Sequence, residues 1–310
     1  MSKMIKSIGI VFLSATAVLS ACADAPETIS LYTQSSSAEV SLMGGRVLSF
    51  KTKGEELLWV PQAWSYTGNK WCNGGIPICW PWFGRVGPVT NCTIHGFAWY
   101  SKFSVRKKSI AADRCELVLG LKSSDIQYKY WPYDFDLEYT IVLTDKLNLR
   151  IKTTNTGDKP FRFTGGFHPY FFIGDRDRTV VTGTDGMKFR DSRVSKVFND
   201  VWKGDMKLLS SFDHVFAETT ASPSHTIVDP VLDRRITGVS SGVTRLVVWN
   251  PGVEGAACKK PGPGELAIGD WRHFVCVEPA VLGKDVAIDL QPRATHEMST
   301  EISLAKGAEQ

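Results

Sequence analysis

The stretch that decides the fold is DLEYTIVLTDKLNLRIKTT, residues 136–154. Leu137, Tyr139, Ile141 and Leu143 alternate with Asp136, Glu138, Thr140 and Val142, and Leu147, Leu149 and Ile151 alternate with Asn148, Arg150 and Lys152. Strict period two is the signature of a strand with one face buried, and the short polar link Thr144-Asp145-Lys146 reads as the turn of a hairpin. Outward from this pair the same period recurs. Further strands are expected at 38–49, 115–122, 246–249, 274–278 and 285–290, separated by turn signals such as Thr156-Gly157-Asp158 and Pro261-Gly262-Pro263-Gly264. There is no long amphipathic helical pattern, no solenoid repeat, no low-complexity tract and no clear linker. The economical reading of 310 residues is one large all-β domain of antiparallel strands, a sandwich rather than a closed barrel.

Composition narrows the function classes. With 43% hydrophobic and 22% charged residues the chain can bury a sizeable core, and a formal charge of +4 gives no nucleic-acid footprint. The basic run Arg106-Lys107-Lys108 is short and reads as a solvated strand end. Residues 1–23 differ from the rest: Lys3 and Lys6 precede an apolar run, Ile8 to Leu19, and then small residues. This is the pattern of a secretory signal peptide, too short for a comfortable permanent span, so an exported protein is expected. In a bacterial setting Leu19-Ser20-Ala21-Cys22 reads as a lipobox, with a lipid anchor on Cys22 as the one membrane attachment. The seven cysteines form no C-x-x-C and no dense disulfide framework, and Cys92-x-x-His95 lacks the second half of a zinc-finger spacing.

Three features carry chemistry. In GGFHPYFFIGD (165–175), Phe161, Phe163, Gly165 and Phe167 fall on one face of an extended segment, and Arg162, Thr164, Gly166 and His168 on the other. An imidazole at a strand end suits proton transfer near neutral pH. In FVCVEP (274–279), Glu278 ends an apolar strand on the same face as Phe274 and Cys276. A buried carboxylate is costly unless it has a cationic partner or does proton work. Six of the ten tryptophans lie between Trp59 and Trp99, around rigid, nearly uncharged backbone. Most are expected to fill the core, with one or two offering a flat surface to a pyranose ring.

Several motifs occur together in one order: GGIPICWPWFG (74–84), HGFA (95–98), YWPYDF (130–135), FHPYFFIGD (167–175), the aspartate of Phe212-Asp213-His214-Val215-Phe216, VVWNP (247–251) and FVCVEP (274–279). The chain resembles the glucose-6-phosphate 1-epimerase (hexose-6-phosphate mutarotase) family, related to the aldose 1-epimerases, over nearly everything from residue 29 to about 300. The resemblance implies a galactose-mutarotase-like β-supersandwich over 29–303 with a short tail at 304–310, an isomerase activity without metal or organic cofactor, and a monomer whose partner is a hexose or hexose phosphate. It implies His168 as general acid, expected to need a neighbouring carboxylate to raise its pKa, and Glu278 as general base. Asp213 and His95 are implied as substrate contacts, although Asp213 alone also reads as a turn residue. The chain departs from the family where arginines are usual: Asn73 precedes the Gly-Gly-Ile-Pro and Trp99 follows the HGFA, while Ile94 replaces a glutamine. A bidentate guanidinium is hard to replace. Phosphate recognition is therefore in doubt unless Arg85 supplies it, and Trp99 is expected to add a stacking surface for a neutral aldose. The competing readings are a non-catalytic sugar-binding protein on the same fold and a glycoside hydrolase using Glu278 and Asp213.

Overall fold

The computed structural model describes residues 27–307, apart from 63, 65–69, 86, 88–91, 127, 219 and 256–263. The segment read as an export signal, with Cys22, lies outside the described residues, as does Cys258. No helix among the described residues is long and apolar enough to cross a membrane.

The opening hairpin forms as its alternation requires. Phe135–Leu143 pairs with Leu147–Asn155, Tyr139 opposite Ile151 and Leu143 opposite Leu147, and Thr144 N donates to Lys146 O at 2.8 Å across the turn. Cys115–Lys122 lies on its other side, Leu119 opposite Tyr139 and Leu117 opposite Ile141. Leu117, Leu119, Leu121, Leu137, Tyr139, Ile141, Leu143, Leu147, Leu149 and Ile151, the inward-facing members of all three strands, are fully buried. Each such side chain contributes about 1.5–3 kcal/mol of transfer free energy, so a one-residue slip, which would turn the whole set to solvent, is strongly disfavoured.

These strands belong to a nine-stranded antiparallel sheet that faces an eight-stranded one. From its outer edge the second sheet runs Asp200–Val201, Lys188–Asp191, Phe212–Ala217, Arg245–Asn250, Phe274–Val281, Gly165–Phe167 and Ile78–Cys79, with Tyr170–Phe172 also paired to Phe274–Val281. One core lies between the sheets, where Tyr139 meets Phe167. The Phe274–Val281 strand is buried on both faces. Val275, Val277 and Val281 join the main core, while Phe274, Cys276 and Ala280 belong to two smaller apolar clusters on the opposite face.

Four expectations change. The run 38–49 is two strands, Ser36–Ser41 and Val47–Thr52, because Gly44 and Gly45 take positive φ and reverse the chain. The run leading to His168 is also two: Phe161–Phe163 pairs with Ile288–Leu290, and Gly165–Phe167 crosses to the eight-stranded sheet. The break is Thr164, whose hydroxyl accepts from Phe83 N. At 285–290 only Ile288–Leu290 is strand, and the final strand, Thr295–Lys306, takes in the start of the expected tail.

Candidate active site

Register places the chemistry on one face. Asp213 is opposite Trp249, Trp249 opposite Cys276, and Cys276 opposite Tyr170. Two residues along each strand, and so on the same face, Arg190 is opposite Val215, Val215 opposite Val247, and Val247 opposite Glu278. Asp213 thus stands within a strand rather than in a turn. It lies two strands from Cys276, about 10 Å across the sheet at ordinary strand spacing.

His168 follows Gly165–Phe167 where the chain leaves one strand and begins the next. Gly166 allows this close approach, since a Cβ there would lie 2.6 Å from Pro279 O and 2.7 Å from Ala280 Cβ. His168 Nε2 is 3.5 Å from Glu278 Oε2, with both side chains buried. Two rings lie nearly parallel to the imidazole: Tyr170 at 4.9 Å and 12°, and Phe83 at 6.2 Å and 10°. Tyr170 Oη donates to Asn73 Oδ1 at 3.0 Å, and Asn73 Nδ2 donates to Gly264 O at 2.9 Å. Asn73 therefore anchors the ring that positions His168.

The sequence asks whether Glu278 has a cationic partner. Among the described residues its ion-pair partner is His168 alone. Glu278 Oε2 and His168 Nδ1 have no hydrogen-bond partner there. Burial, with Asp213's charge adding to it, pushes the Glu278 carboxyl well above the usual range. Burial pushes His168 well below its ordinary value, with His95 and Arg46 acting in the same direction. This corrects the expectation that a carboxylate would hold His168 protonated. Desolvation outweighs the pairing, and it favours the neutral form of both the imidazole and the carboxyl.

His95 joins them, its ring 5.1 Å from that of His168 and 4.6 Å from Trp71. Its backbone is left-handed at φ 61. Its Nδ1 accepts from Gly84 N at 3.1 Å, which leaves the proton of the neutral ring on Nε2. Burial, with help from the Arg85 guanidinium, lowers its pKa to about 3, so the ring stays neutral. Arg85 itself is exposed. Trp99 differs from its expected role: it is fully buried and donates to Ile94 O and Gly96 O. It meets Trp71 edge-on at 5.0 Å, so Trp71 is the indole beside the two histidines.

Sequence reasoning did not single out Tyr170, Trp71, Phe83, Trp249, Arg190 or Arg46. Arg46 is fully buried, donates to Cys72 O and Gly74 O on either side of Asn73, and lies over the Trp71 ring. An arginine within the apolar run Leu42–Val47 was the available signal. For a metal, His168, Cys276 and Glu278 offer ligand atoms that all lie within 4.8 Å of one another.

An antiparallel β-sandwich with a histidine–carboxylate pair buried beside an aromatic wall is an arrangement suited to proton transfer. The comparisons with known proteins make this specific: residues 27–303 match the aldose 1-epimerase family, and the chain belongs to it. A relative from Cenchrus ciliaris described as "Putative glucose-6-phosphate 1-epimerase" is 31% identical over 264 residues, 81% of this chain and 77% of that one. One from Escherichia coli K12 with the same description is 29% identical, covering 78% and 79%. A solved structure from Salmonella typhimurium, described as a "putative mutarotase (YeaD)", superposes with a TM-score of 0.78 at 26% identity over 91% and 92% of the two chains. A Synechocystis structure at 20% identity and TM-score 0.74 shares the fold. The protein is an epimerase, an isomerase acting on sugars.

Proposed function

We propose that this protein interconverts the α and β anomers of a free aldohexose, with His168 and Glu278 exchanging protons with the anomeric hydroxyl and the ring oxygen. The observation that carries the reading is the buried pair, 3.5 Å apart, two groups that have no other ion-pair partner among the described residues. Ring opening needs one acid and one base at once, and a pair sharing one proton provides both. Sugar hydroxyls donating to Glu278 favour its ionised form and shift the proton to His168, the assignment that the family resemblance implies. The C1–O5 bond then opens to the aldehyde as Glu278 takes the anomeric proton and His168 protonates O5. Rotation about C1–C2 and closure on the other face give the other anomer. Each positioned group is worth on the order of 10² to 10⁴ in rate.

Preference for a neutral hexose rests on Asn73 and Trp99. Both occupy positions where the resemblance implies arginine, and both are committed elsewhere, Asn73 to Tyr170 and Gly264 and Trp99 to backbone carbonyls. One observation favours a phosphorylated hexose instead: Arg85 is exposed and close enough to perturb His95. Exchange rates on glucose and glucose 6-phosphate, before and after Arg85→Ala, separate the two. A faster rate on glucose that is indifferent to Arg85 supports the neutral reading. A faster rate on the phosphate, lost with Arg85, overturns it.

A further inference from the structure

We infer that His168, Cys276 and Glu278 form a binding site for a thiophilic divalent cation of the zinc class, which shuts the enzyme off by occupying its acid–base pair. Cys276 lies two residues before Glu278 on the same strand and therefore on the same face. It is fully buried, outside any disulfide, and plays no part in the anomer exchange described above. One ring nitrogen of His168, Cys276 Sγ and a Glu278 carboxylate oxygen all lie within 4.8 Å of one another. A tetrahedral zinc ion with nitrogen and oxygen ligands at about 2.0–2.2 Å and sulfur at about 2.3 Å requires ligand atoms roughly 3.3–3.6 Å apart. The nitrogen–oxygen edge already has that length, at 3.5 Å. The sulfur closes the triangle by a shift of at most roughly 1.2–1.5 Å from the 4.8 Å bound, which a cysteine side-chain adjustment supplies.

A second observation points to a ligand. Glu278 Oε2 is buried and has no hydrogen-bond partner among the described residues, an arrangement costly to maintain unless something visits the site. One imidazole, one thiolate and one carboxylate make a donor set that suits zinc better than magnesium or calcium, which prefer all-oxygen sites. On binding, the Cys276 thiol and the Glu278 carboxyl each release a proton to solvent, and the neutral His168 donates its lone pair. Three protein ligands leave the fourth position to water. His168 and Glu278, both consumed as ligands, can then no longer exchange protons with a sugar.

The test uses the full chain stripped with EDTA and titrated with Zn²⁺, or with Co²⁺ as a spectroscopic stand-in, while anomer exchange is followed by NMR. One equivalent of Co²⁺ should give thiolate-to-cobalt charge-transfer absorption, and one of Zn²⁺ should suppress exchange at least about tenfold, reversibly with EDTA. Cys276→Ala should exchange anomers at close to the wild-type rate without metal, lose the charge-transfer band and need at least about tenfold more Zn²⁺ for inhibition. Cys79→Ala should keep both responses, and Cys276→Ser serves if the alanine variant does not fold. Cobalt binding without a thiolate band, or Cys276 variants inhibited at the wild-type Zn²⁺ concentration, would overturn the assignment. The cobalt spectrum reads the site independently of turnover, so a protein inactive on every sugar tried would still report on it.

Discussion

Replacing Glu278 by glutamine should stabilise the protein, and increasingly so as the pH rises. Glu278 is buried with its carboxyl pushed well above the ordinary 4.5. A group whose folded pKa is raised contributes stability that is fully present below the unfolded value and is lost as pH climbs toward the folded one. His168 is pushed below its ordinary 6.5, so its contribution is present above that value and is lost as pH falls. Between 4.5 and 6.5 folded and unfolded chains hold one proton on this pair and the two slopes cancel. Above 6.5 the unfolded chain gives up its proton while the folded pair keeps it, and wild-type stability declines. Glutamine has no proton to lose. Its advantage over wild type should therefore grow with pH above 4.5, for as long as the folded carboxyl keeps its proton. The Tm difference between the two proteins should widen steadily as the pH rises through neutrality. Thermal unfolding of both proteins in matched buffers measures this directly, and His168→Asn should show the opposite trend, gaining on wild type as pH falls below 6.5. A Glu278→Gln advantage that stays flat across the range would mean Glu278 is ionised in the folded protein, and the neutral-pair account would be wrong.

Tyr170→Phe removes the hydroxyl that donates to Asn73 and leaves the ring stacked on His168. It should lower kcat by about tenfold at most, in keeping with a positioning role worth about 1 kcal/mol, and Tm by a few degrees, as NMR exchange and calorimetry would show. Asp213→Asn removes a negative charge that adds to the raised pKa of Glu278, so the basic limb of the kcat/KM profile should shift to lower pH while KM rises. A pH–rate series on both proteins reads this shift. Gly96→Ala should destabilise by at least about 2 kcal/mol in denaturant unfolding, because Gly96 sits at φ +77 and a Cβ there would fall 2.0 Å from Trp80 O.

The sheets were legible wherever one face is buried and the other wet. In 135–143 and 147–155 alternation marks both strand and register, and the strand bounds at 115–122 agree with the sequence pattern. It failed where both faces are buried, because parity then carries no information. The segment 161–168 looks continuous, yet Thr164 switches it between sheets in order to cap Phe83 N. His168 and Glu278 were legible as polar groups out of place in apolar strands. Their mutual distance depends on the pairing of strands more than a hundred residues apart, which no local pattern encodes. The wall around them was least visible. Trp71, Tyr170 and Phe83 lie among many aromatics, and only packing decides which face the histidine. The same packing withdraws Trp99 from the surface and sets Arg46 behind Asn73.

The most direct test of the central claim is the rate of α–β anomer exchange measured by NMR on glucose, galactose and glucose 6-phosphate, with wild type, His168→Asn and Glu278→Gln. The account predicts acceleration that is greatest on a free hexose and falls at least about 10²-fold in each variant. Acceleration that survives in either variant, or none on any of the three sugars, would contradict it.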